Sequence, residues 1–199
     1  PSSAFLPQAH LGAARAEEGL GRADRALGLY DEVRRRFPGG GEAQEACFRA
    51  GEIRRRLKRD PEGALADYRA LMAIQMGGPW QRQAMMGIGA CLLGTGDAEG
   101  ARRSYAAVAR LGAGSEDGDE AALRLADVDY LTGRFQEARK GLEALIGGPT
   151  IRNAVNDALD LSDTIAKGLE VSEDYLRGYA DADLLARRGR DEAAARAFE

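Results

Sequence analysis

The chain has 199 residues, with 28 basic and 32 acidic side chains and a net charge of −4. That length supports a substantial core, but the charge lacks the surplus that neutralising a phosphate backbone requires. No run approaches the roughly 18 consecutive apolar residues of a membrane span, and one histidine with two cysteines leaves little material for a metal site.

The chain opens Pro1-Ser2-Ser3 with no initiator Met and stops at Phe198-Glu199 inside a helical pattern, which is expected of a piece of a longer protein. Along it, an alanine followed four residues later by a large side chain recurs as Ala26/Tyr30, Ala64/Tyr68, Ala101/Tyr105, Ala138/Leu142 and Ala194/Phe198. The spacings are 38, 37, 37 and 56 residues. A further apolar residue follows three positions on as Val33, Leu71, Val108 and Leu145, completing one helix face. Upstream of each such helix lies another, and the two join at Gly21, Gly96, Gly133 and Gly189, the residue suited to a position just past a helix end. In the second unit the turn is one residue longer and ends at Pro61, which suits a first helical position.

The predicted elements are therefore helix hairpins over about 7–40, 42–78, 80–113 and 117–148, an extra helix over 150–168, and a truncated hairpin over 173–199. Breakers separate them at Pro38-Gly-Gly-Gly41, Gly77-Gly-Pro79, Gly112-Ala-Gly-Ser115 and Gly147-Gly-Pro149. In the extra helix, Ile151, Val155, Ala158, Leu159, Ser162 and Ile165 form the apolar face, with Asn153, Asp157, Asp160 and Asp163 off it. Ser172 is the expected N-cap of the next helix. No strand-like alternation occurs, so the fold class is all-α.

Several motifs invite a chemical reading and are better explained by structure. Gly87-Ile-Gly89 with Gly94 lacks the preceding strand of a dinucleotide loop. Ser115 to Glu120 lacks the ligand spacing of a calcium loop and reads as an acidic helix start. Cys47 and Cys91 fall in helical patterns as small core residues, and His10 has no partner suggested by spacing for general-base work. The runs Arg34–Arg36, Arg54–Arg56 and Arg187-Arg188 read as solvated faces. No catalytic residue, cofactor or metal is expected.

The third unit, Met85-x2-Ile88-Gly89-x2-Leu92-x3-Gly96-x4-Ala101-x3-Tyr105-x2-Val108, resembles the tetratricopeptide repeat. The fourth follows with Leu125, Ala126, Gly133, Ala138, Leu142 and Leu145; the second, with Ala50, Gly51, Leu57, Ala64, Tyr68 and Leu71, is looser. The first and second depart at the large mid-helix position, where Glu17 and Arg54 stand.

The resemblance implies a right-handed superhelical solenoid of antiparallel hairpins forming a single array. It also implies a non-catalytic scaffold that binds a partner peptide or helix in a concave groove. By register that groove takes Phe48, Glu52, Arg55, Met86, Leu93, Leu123, Asp127, Tyr130 and Tyr179. The lysines and asparagines of a carboxylate clamp are missing from those positions. Self-association, or service as an accessory segment of an enzyme, are the alternatives. The spacing and the stretch from Phe37-Pro38 to Gly51-Glu-Ile53 are similar to bacterial cell-envelope repeat proteins of the Tol–Pal coordinator and outer-membrane assembly lipoprotein types. That likeness implies an envelope or periplasmic location.

Overall fold

A computed structural model describes residues 5–74, 80–148 and 152–198. The predicted breaker Gly77-Gly-Pro79, Pro149 and Ile151 lie outside the described residues, as does the side chain of Asn153. Among the described residues there are eleven α-helices and no strand. They are α1 (Leu6–Gly19), α2 (Ala23–Arg36), α3 (Gly41–Ile53), α4 (Pro61–Ile74), α5 (Gln81–Thr95), α6 (Ala98–Leu111), α7 (Glu116–Leu131), α8 (Phe135–Gly147), α9 (Arg152–Val171), α10 (Glu173–Arg187) and α11 (Asp191–Ala197).

Glycine makes the short turns possible. Gly21, Gly96, Gly133 and Gly189 take φ of 72°, 101°, 73° and 69°, values that carry a steric cost for residues with a Cβ. The second hairpin solves the same problem differently. Its extra residue is absorbed in a π-helical turn, Arg54–Lys58, whose Arg54 carbonyl accepts from the Arg59 amide five residues on. Arg59 then takes the left-handed position, φ 52°. A π-turn is how a helix stores one inserted residue without breaking.

The chain forms two compact units, residues 1–91 and 92–199. In the first, α1 packs on α2, α2 on α3, α3 on α4, and α1 also touches α3. Leu11, Ala14, Ala26, Tyr30, Val33, Ala46, Ala50 and Ile53 make one core. Small residues admit large ones: a Cβ on Gly51 or on Gly87 would lie 2.6 Å or 2.5 Å from the Tyr68 ring, so Tyr68 is held between α3 and α5 by two glycines. Gly87 and Gly89 are accordingly buried packing residues inside α5. Cys47 and Cys91 are buried and free, and burial pushes the Cys91 thiol up to about 11.

In the second unit α7 packs against α6, α8, α9 and α10. The core joins Leu123, Ala126, Tyr130, Leu131, Phe135, Leu142, Ile165 and Leu176. Helix α9 touches α8 and α7, as α3 touches α2 and α1, so the extra helix packs in the manner of a repeat's first helix. Its inward stripe is Ala154, Ala158, Leu161 and Ile165. Leu159, expected on the apolar face, is exposed, because the stripe advances by four, three and four residues and passes it by. Helix α10 departs from the hairpin plan: besides α9 and α11 it lies against α7. Its start is capped as expected, with the Tyr175 amide donating to Ser172 Oγ at 3.0 Å. Phe198, expected as a packing residue, is exposed and meets Tyr179 edge-on, centroids 5.1 Å apart.

Candidate functional site

Helix α3 carries the expected groove positions Phe48 and Glu52. Phe48 is half-buried and stacks on Trp80, centroids 5.0 Å apart at 25°. One turn on, Glu52 gathers three donors: the Tyr68 hydroxyl at 2.5 Å, Arg55 at 2.9 Å and Arg56 at 2.6 Å. Burial raises the Glu52 pKa, but hydrogen bonds from Arg55 and Tyr68 outweigh it and hold the carboxyl below its usual range. Burial and the hydrogen bond to Glu52 push Tyr68 upward, so it remains a neutral donor.

The same chemistry runs toward α1. Arg49 donates to Glu18 at 3.2 Å and to Glu45 at 2.6 Å, Arg15 also holds Glu45, and the Tyr30 hydroxyl donates to Glu18. Each carboxylate of this face is thus matched by a cation or a phenol.

Between these pairs lies a recess of about 280 Å³ lined by Glu18, Phe48, Arg49, Glu52, Ile53, Arg56 and Leu57. Leu57 is 63% exposed, although the repeat pattern expected a packing residue there; the π-turn rotates it out of the hairpin. Met86, on α5, is half-buried. Trp80 and Leu57 complete this surface and were not on the groove register. The signal that could have found Leu57 is the spacing of 38 rather than 37 residues.

The arginine runs are less solvated than expected. Arg34 donates at 2.7 Å to Asp67, which Arg54 also holds, and Asp67 is buried. Arg54, the charged residue at the large mid-helix position, therefore has an ion-pair partner where the repeat usually has an apolar contact. In the second unit Asp129 occupies that position and is buried, accepting from Arg102 at 2.6 Å.

The second unit holds the remaining groove positions. Leu123, Asp127 and Tyr130 are buried where α7 meets α10. Arg187 of α10 ties Asp127 and Asp183, the latter at 3.0 Å. Leu93 is half-buried against the core, and Tyr179 is exposed. A cavity of about 350 Å³ remains among Leu123, Asp127, Tyr130, Asp157, Asp160, Leu161, Tyr179, Asp183 and Arg187.

Helix pairs with small residues facing aromatic ones, left-handed glycine turns and a paired polar face define a tetratricopeptide-like helical repeat. Residues 8–40 match the Tetratricopeptide repeat family. The matched segment covers α1 from Gln8 onward, α2 and the turn that follows, and it supports the tetratricopeptide repeat family for this chain. Tetratricopeptide repeats generally mediate protein–protein interaction and are generally non-catalytic. No curated protein matches the chain.

Proposed function

We propose that this chain is a non-catalytic interaction scaffold that seats an apolar side chain of a partner peptide or helix in the recess on α3. Leu57 carries this reading. It is a large apolar side chain 63% exposed at the rim of a cavity floored by Phe48 and Ile53, placed there by a π-turn, a feature that concentrates at functional sites. Phe48, Glu52, Arg55 and Met86 are the partner-contacting residues in this account, with the arginine–carboxylate pairs framing an apolar centre as a polar rim does.

Because Leu57 packs little, Leu57→Asp leaves the helical circular dichroism and the melting temperature unchanged while partner capture falls at least tenfold. Undiminished capture removes the recess from the account. The setting we propose, a bacterial cell-envelope protein, rests on the repeat spacing and the Phe37 to Ile53 stretch.

A second reading is architectural. Val171, Tyr175, Tyr179 and Phe198 are exposed towards the end of the chain, and the touching pair Tyr179 and Phe198 is apolar surface suited to stacking on a second copy. Light scattering across a dilution series separates the two, since a monomer at every concentration sinks self-assembly.

A further inference from the structure

The cavity among α7, α9 and α10 has polar features that the recess reading does not use. Four carboxylates line it, Asp127, Asp157, Asp160 and Asp183, against two guanidinium groups, Arg124 and Arg187. Arg124 is committed to Glu120 at 2.8 Å, and Arg187 to Asp127 and Asp183. The carboxylates of Asp157 and Asp160 have no partner among the described residues, and both project from α9 three residues apart, on one side of the helix. An independent observation points to the same place. Tyr130 is 1% exposed, and its hydroxyl is buried with no hydrogen-bond partner among the described residues, in the electrostatic neighbourhood of Asp183, Tyr179, Arg187 and Asp127, which line the same cavity. Buried hydroxyls are normally paired, and an orphan calls for an explanation.

We propose that this cavity binds an alkylammonium group, presented as a lysine side chain of the partner protein. The reading of the chain as an interaction scaffold supplies the source of that lysine; the cavity's chemistry stands apart from it. Asp157 and Asp160 are exposed on α9, and their unpaired negative charge at the cavity favours a cation there. No group of three or more His, Cys, Asp or Glu among the described residues is arranged to hold a metal, so the cation is organic. Arg187 already takes the carboxylate pair that suits a guanidinium fork. What remains is separate acceptors, Asp157, Asp160 and the Tyr130 oxygen, which suit a compact head with three rotatable donors. Leu161 and the Tyr179 ring offer apolar surface to a methylene stem and an aromatic face to the charge.

The test is a titration of the whole chain, followed by amide NMR shifts, with Nα-acetyl-lysine methylamide, a lysine-containing tripeptide and spermidine. The lysine probes are expected to move the amides around Tyr130, Asp157 and Asp160, and the ε-acetylated lysine probe to move none of them. The paired variant Asp157→Asn with Asp160→Asn, on an exposed helix face, should weaken binding at least tenfold. Tyr130→Phe, which keeps the ring, should weaken it about threefold. Leu57→Asp should leave probe binding unchanged, so failure of the α3 recess and failure of this cavity read out separately. Equal shifts with the acetylated probe, undiminished binding by the variants, or no shifts at all overturn the proposal. Uptake of spermidine without the lysine probes overturns the side-chain source.

Discussion

Tyr68 shows how this chain uses single residues. Its ring fits between Gly51 and Gly87, where a Cβ would come within 2.6 Å and 2.5 Å, and its hydroxyl is pinned to Glu52 at 2.5 Å, so the ring cannot retreat. Gly87→Ala should therefore overpack the site and cost about 1–3 kcal/mol, visible as a lower thermal midpoint. An unchanged midpoint would mean that Tyr68 can shift.

Glu45 and Glu52 add a pH dependence. Burial raises both pKa values, but hydrogen bonds from Arg15 and Arg49 on Glu45, and from Arg55 and Tyr68 on Glu52, hold them below the usual range. A depressed folded pKa contributes stability that is present above the unfolded value and lost as pH falls through the folded one. Chemical denaturation should therefore show stability dropping as pH falls below the usual carboxylate range, with Glu45→Gln and Glu52→Gln flattening the drop.

The alanine, tyrosine and glycine positions of this packing were legible in the sequence because they recur with the helical period. Asp67 and Asp129 were not. A repeat pattern records where an apolar contact is missing, as at Arg54, but the ion-pair partner comes from a different helix that only the fold brings close.

At the scale of elements, the same limit appears in the π-turn and in α9. The spacing of 38 residues revealed an extra residue, and the sequence reading put it in the connecting turn. The helix end holds it instead, because a π-turn keeps its backbone groups bonded, and the exchange turns Leu57 to solvent. For α9, periodicity identified an amphipathic helix but chose a face containing Leu159 rather than Leu161. Alanines at 154 and 158 give weak contrast between the two choices.

The cap of α10 was read directly from Ser172-Glu173-Asp174. Ser172→Ala removes the bond to the Tyr175 amide and should cost about 1 kcal/mol. Because α10 covers Tyr130, hydrogen exchange at α10 and at the facing part of α7 should rise together. A rise confined to the first turn of α10 would mean that its packing on α7 is independent of the cap.

At the scale of the whole molecule, the all-α hairpin plan follows from the glycine turns and the repeated small–large pairs. The burial of Leu123, Asp127 and Tyr130 does not. An apolar stripe states that a face is covered, without stating which helix covers it, and α10 covers this one. Tyr130→Ala, attractive on the groove register, would therefore excavate the core and report on folding.

The proposed function makes the α3 recess the place where a partner protein would be held. A photo-crosslinking residue placed at position 57 in the cells that make the protein tests this directly, against the same residue at position 111. Leu111 is 56% exposed, close to the 63% of Leu57, but lies at the end of α6, far in sequence from the recess. A discrete protein adduct from position 57, absent from position 111 and lost when Met86→Glu is added, is the predicted result. Equal adducts from both positions, or none from position 57, would contradict it.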